Sequence, residues 1–165
     1  MMGNTTGKTT SIISAYVDAY EEIEQEIAGL TERQLKWKSS PSSWSVTEVL
    51  AHLVDHSIVV SFRIREILAG SKATLPGFNQ DAWVAGQKAN EEQISRLITI
   101  AHGLVQYNSG LLERLGDEEW SKTGINFKGE AVSLSAIIPA FVAHVENHLN
   151  QIRRIKQEAA EKQVQ

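Results

Sequence analysis

The chain's strongest constraint is the apolar period of its last long segment, residues 131–156. Ile137, Phe141, Val145, Ile152 and Ile155 recur at helical spacing. His144 and His148 are four residues apart in F-V-A-H-V-E-N-H-L-N-Q-I. Residues at i and i+4 share a helix face, so both imidazoles point the same way, beside the apolar stripe. An inward imidazole pair needs polar partners, and a metal ion is one way to supply them. No local pattern completes a site, so a third ligand must come from elsewhere.

Three earlier segments carry the same period. Ile12, Ile13, Tyr16, Tyr20, Ile23 and Ile27 predict a helix over 10–29, stopped by Gly29. Thr31 and Gln34 can cap a short turn. Ser45 and Glu48 form a capping-box pattern ahead of a helix over 46–69, with Trp44 placed to staple against Val49 and Gly70 as the stop. Ile94, Leu97, Ile98, Leu104, Tyr107, Leu111 and Leu115 predict a helix over 88–115. Gly103 and Gly110 weaken it by about 1 kcal/mol each if exposed, or else permit close packing or a bend. Pro139 bends the start of the last helix or marks its first turn.

The connections are less regular. Residues 1–9 read as a loose terminus. Their G-N-T-T-G-K-T-T has three residues between its glycines where a phosphate loop needs four, and no strand precedes it. The link 70–87 carries a Pro76-Gly77 turn. Its Phe78 and Trp83 pack the link down, cover one end of a bundle or wall a pocket. Asp117 to Trp120 suggests a short capped turn with Trp120 inward, and 121–130 a loop extended briefly at Ile125 and Phe127. Four helical patterns joined by loops make an all-α four-helix bundle the economical architecture, one domain over 1–165. The two longer links allow crossovers rather than a simple up-and-down order.

A chain of 165 residues with 42% apolar content can build a sizeable core, so general disorder is not expected. Its formal charge of -4 and scattered basic residues give no footprint for nucleic acid. No stretch reaches about 18 uninterrupted apolar residues, so no membrane span is expected. No signal-like segment opens the chain, which makes the cytoplasm the default expectation. Cysteine is absent, which removes disulfides, a thiolate nucleophile and cysteine metal ligands.

His52 and His56 form a second i,i+4 pair, and periodicity alone treats them equally, as ligands or as core histidines bonded to a carbonyl or water. Asp55 is placed to orient an imidazole, although a solvated surface role is the expectation. His102 reads as a surface or packing histidine. Glu146 stands two positions after His144, not one as in HExxH, so it belongs on the charged surface.

The segments W-S-V-T-E-V-L-A-H-L-V-D-H at 44–56 and H-V-E-N-H-L-N-Q-I at 144–152, with N-Q-D-A-W at 79–83, resemble the DinB/YfiT-like superfamily of metalloenzymes. The resemblance spans nearly the whole chain. It implies a four-helix bundle around a divalent metal, with His52, His144 and His148 as ligands; nitrogen ligands suit zinc and are compatible with nickel. It also implies a homodimer and a small-molecule partner. Relatives of this kind include transferases using a low-molecular-weight thiol as cosubstrate, and hydrolases. Gln151 matches a family pattern after the last ligand, whereas Leu149 and Asn150 depart from it, which weakens transfer of any particular substrate. Three imidazoles would leave a coordination position open, the arrangement of a catalytic site. The expectation is a mononuclear metal enzyme, with a low-molecular-weight-thiol-dependent transferase as the first reading; its rivals are a metal-dependent hydrolase, a non-catalytic metal-containing small-ligand or interaction module, and a metal-free bundle with core histidines.

Overall fold

The computed structural model describes residues 5–164; the first residues of the expected loose terminus, 1–4, lie outside them. Residues 5–9 are already helical. Helix α1 spans Thr5–Val17 and α2 Glu21–Ile27, so the single helix expected over 10–29 is two. At the break the bonding tightens to three-residue spacing, from Ala19 N–H to the Tyr16 carbonyl and from Glu21 N–H to the Asp18 carbonyl. Tyr16 and Tyr20 stay buried on either side of it. Glu21, Glu22 and Glu24 then fill the first turn of α2, where negative charge complements the helix dipole.

Helix α3, Glu32–Lys36, opens with the expected Thr31–Gln34 capping box. Helix α4, Val46–Leu68, opens with the expected Ser45–Glu48 box and ends before Gly70, whose φ of 69° suits glycine. The link beyond it holds α5, Gln80–Gly86. Helix α6 begins at Ile94, not 88, and ends at Leu112. Lys88 adopts a left-handed φ of 54°, and a single 3-10 turn at Ala89–Glu91 follows. Asn90 in that turn accepts from Ser45 Oγ at 2.6 Å and donates to the Lys36 carbonyl at 3.1 Å, which holds the turn against the head of α4.

Helix α7, Asp117–Ser121, buries Trp120 as expected. Strands β1, Thr123–Ile125, and β2, Ala131–Ser133, form an antiparallel hairpin, so residues 131–133 belong to a strand rather than to the last helix. Ile125 is in β1, whereas Phe127 lies in the turn. Helix α8 spans Leu134–Glu161, longer than expected at its C-terminal end. Pro139 sits inside it, past the first turn and on the exposed face. It cannot donate to the carbonyl of Ser135 one turn back, and Ser135 is itself exposed.

Four long elements form the bundle. Helix α4 packs chiefly on α6 and α8, and α1 on the same two, so α1 and α4 stand at opposite corners. Side-chain pairs give the directions. Ser45 meets Asn90 just ahead of α6, and Arg65 meets Asn108, so α4 and α6 run the same way. His52 lies beside His148 and His56 beside His144, so α4 and α8 run oppositely. Tyr16 meets Phe141, and Glu26 meets Lys156, so α1 and α8 run the same way. The four directions are therefore up, down, down, up. Keeping α4 and α6 parallel requires the link through α5 to return along the length of the bundle, which is why it is long.

The core is apolar around Leu53, Ile64, Leu112, Ile138 and Phe141, and a polar knot crosses it at Asn108. Fully buried Asn108 donates to Tyr16 Oη at 2.9 Å and Ser61 Oγ at 2.7 Å and accepts from Arg65 Nη1 at 2.9 Å, tying α1, α4 and α6 together. Such a knot fixes register, because sliding either helix would orphan buried polar groups. Among the described residues no helix is long and apolar enough to cross a membrane.

Candidate metal centre

The capping box at Ser45 fixes where α4 starts, and seven residues later, on the same face, comes His52. Its side chain is 1% exposed. His144 and His148 project from α8 on consecutive turns and are half-buried. The three rings converge: centroids are 5.2 Å apart for His52 and His144, 4.7 Å for His52 and His148, and 4.5 Å for His144 and His148. One nitrogen from each lies within 4.8 Å of the others.

The tautomers are partly set. His148 Nδ1 lies 2.7 Å from Gln151 Oε1, and an amide oxygen can only accept, so Nδ1 carries the proton and Nε2 keeps its lone pair. His52 Nε2 and His144 Nε2 are 3.0 Å apart. Two ligand nitrogens on a tetrahedral zinc ion stand about 3.3 Å apart, so this separation suits a shared cation. Burial, with repulsion from neighbouring histidines, pushes His52 down to about 3 and His144 down to about 4. Burial also lowers His148, against the pull of its bond to Gln151. All three are therefore neutral near pH 7, the form that ligates. The residues present fit a divalent ion.

His56 joins the cluster without joining the ligand set. Its ring stacks on His144 at 4.0 Å and on Phe141 at 5.6 Å. Burial pushes it down to about 3, so it is a neutral wall. His102 lies apart, paired with Glu24. Glu146 is exposed, as its position after His144 requires. The expected solvated role of Asp55 is corrected: it is 7% exposed and accepts from Gln87 Nε2 at 2.5 Å. Burial raises its carboxyl pKa against the lowering effect of that bond. Among the described residues no hydrogen bond joins it to an imidazole.

Aromatic groups complete the surround. Trp44 lies 5.1 Å from His52 and nearly parallel to His148 at 6.3 Å. Phe78 lies 5.9 Å from His52 and in turn meets Trp83 at 4.8 Å. Phe78 thus walls the site. From His148 a cleft of about 360 Å³ opens between α8, the Ser39–Trp44 loop and the start of α5. Sequence reasoning missed this cleft and the facing of Trp44. The His148–Gln151 bond was open to it, since three residues apart on a helix means a shared face.

The DinB superfamily's sequence model matches residues 15–152. The chain belongs to the DinB superfamily. Its sequence is 23% identical over 146 residues to a protein of Geobacillus thermodenitrificans named as a candidate metal-dependent hydrolase, covering 87% of this chain and 82% of that one. A protein of Oceanobacillus iheyensis with the same designation is 21% identical over 129 residues, covering 78% and 74%. The fold of this DinB-superfamily chain matches YfiT from Bacillus subtilis with a TM-score of 0.86 at 17% identity, over 97% of this chain and 92% of that one. That structure is described as having an unusual four-helix bundle topology.

Proposed function

We propose that this DinB-superfamily chain is a mononuclear metal-dependent hydrolase whose ion is held by His52, His144 and His148. The observation that carries the reading is the convergence of three neutral imidazoles within 4.8 Å, one of which, His148, also lines an open cleft. A structural site would be closed by a fourth protein ligand, and among the described residues the group of candidate ligands holds three. A divalent ion in this position would polarise a substrate carbonyl and acidify water. Zinc and nickel both suit an all-imidazole set. The names carried by both curated relatives support hydrolysis over transfer to a low-molecular-weight thiol, which would place a sulfur nucleophile at the same open position.

The chain's own residues do the rest. Gln151 holds the His148 ring and its tautomer, and Trp44 and Phe78 limit the approach of water to the buried side of His52. His56 and Phe141 back His144. The test is calorimetric titration of metal-stripped protein with zinc and with nickel, followed by ester and amide turnover with loaded protein. Wild type should bind one ion per chain, and His52→Ala, His144→Ala and His148→Ala should each bind far more weakly. Wild-type affinity in all three variants would overturn the ligand set, and a folded wild type that takes up no ion would overturn the metal centre.

A further inference from the structure

We propose that the cleft beside His148 recognises a small substrate with an amino-acid end, its carboxylate held by Arg154 and its ammonium by Glu158 and Asp81. This rests on the metal-dependent hydrolase reading and adds to it the class of molecule acted on.

Position is the first ground. His148, Gln151 and Arg154 follow one another at three-residue steps along α8, and all three line the cleft. Six residues of helical rise put Arg154 about 9 Å from His148 along the axis. A carbonyl at the histidines and a charged group at Arg154 can therefore belong to one small molecule, and about 360 Å³ accommodates one.

The second ground is that the fold does not use Arg154. Its neighbours on α8 are tied down: Arg153 pairs with Glu22 and Glu26, and Lys156 with Glu26. Among the described residues Arg154 has no ion pair and no side-chain hydrogen bond, although its guanidinium is a planar fork matched to a carboxylate.

The third is the sign of what surrounds it. Glu158, one turn further along α8, and Asp81, across the cleft on α5, line the same opening, and neither is in an ion pair among the described residues. A free guanidinium and two free carboxylates lining one cleft complement a ligand carrying both charges. A ligand with a carboxylate alone would face both acids, and a simple cation would face Arg154. The arrangement selects the zwitterion.

Zinc-loaded protein should be titrated with three hydroxamates on one carbon chain: the ω-hydroxamates of 2-aminosuberate and of suberate, and octanohydroxamate. The hydroxamate reports the metal, and the far end reports the cleft. In wild type the aminosuberate probe should bind about tenfold tighter than octanohydroxamate, with the suberate probe weaker than the aminosuberate one. Arg154→Ala should abolish the preference, Arg154→Lys should restore part of it, and Glu158→Gln should reduce the gain from the ammonium while leaving that from the carboxylate. Octanohydroxamate should bind all variants as it binds wild type, which shows that they are folded and loaded. Equal affinity of all three probes in wild type, or a preference that survives Arg154→Ala, overturns the proposal while leaving the metal centre standing. Suberate and aminosuberate probes of equal affinity overturn the ammonium half. Failure of every probe to bind, or of zinc to load, overturns the metal-centre reading and this proposal together.

Discussion

Gln151 Oε1 accepts the Nδ1 proton of His148 at 2.7 Å, one turn along the same helix. The bond decides which nitrogen of His148 is free to ligate and holds the ring against rotation. Without it the imidazole can take the other tautomer. Gln151→Leu should leave α8 intact, since leucine is a good helix former, and should weaken zinc binding by about 10–100-fold. Calorimetry on stripped protein measures this. Unchanged affinity would mean that packing alone orients His148.

Ser45 is more than an N-cap. Its Oγ accepts from the Glu48 amide at 3.1 Å and donates to Asn90 Oδ1 at 2.6 Å, while Glu48 accepts from the Ser45 amide at 2.9 Å. All of this is buried or nearly so. Ser45→Ala removes the cap and strips Asn90 of a donor, so it should cost about 2 kcal/mol, the upper end for a lost cap. Urea unfolding of the metal-free protein reads it. Zinc affinity of the folded variant should be nearly unchanged, because His52 is two turns away and held by packing.

The bundle was legible because its helices each repeat apolar residues on one face, and because Ser45, Thr31 and Gly70 mark ends by local chemistry. The break between α1 and α2 was not, since Tyr16, Tyr20 and Ile23 keep the period running across it. Nor was the late start of α6: Lys88 adopts its left-handed conformation without the glycine that announces one. His144 and His148 declared themselves by spacing, but spacing could not separate His52 from His56, which stand on one face of α4. Their difference is tertiary, because α8 crosses so that His52 reaches both of its histidines while His56 stacks flat on His144. Asp55 was misjudged for the same reason, its partner Gln87 lying on a distant link.

Gly103 offers a stability gain. It lies within α6, and a methyl group added there would meet nothing within 4 Å. Glycine in a helix interior is worse than alanine by roughly 0.5–1 kcal/mol. Gly103→Ala should therefore raise the melting temperature of the metal-free protein by about 2–4 °C at most. Thermal unfolding followed by circular dichroism checks it. A lowered midpoint would mean that something covers this face of α6 in solution.

The buried histidines predict how stability changes with pH. His52 and His56 are pushed down to about 3 and His144 to about 4, from an ordinary value of 6.5, first by burial and then by mutual repulsion. The unfolded chain takes up these protons near pH 6.5 while the folded chain refuses them. Over that window the unfolded state binds more protons, so stability rises with pH. Metal-free protein should lose stability as pH falls below about 6.5, and the loss should level off near pH 3, where the folded form protonates too. Each histidine contributes a slope of up to about 1.4 kcal/mol per pH unit within the window. Glu26, whose pKa is lowered by Lys156 and Arg153, acts in the same direction but only below its ordinary 4.5. Asp55, raised by burial, acts oppositely above its ordinary 3.8. Between about pH 6.5 and about pH 5 the several histidines together outweigh that single opposing carboxyl. Urea midpoints across this interval should fall in wild type and fall less in His56→Leu, which removes one titrating ring and keeps His52, His144 and His148 in the chain. A flat profile in wild type would mean that the histidines take up protons as readily folded as unfolded, and would contradict the buried cluster.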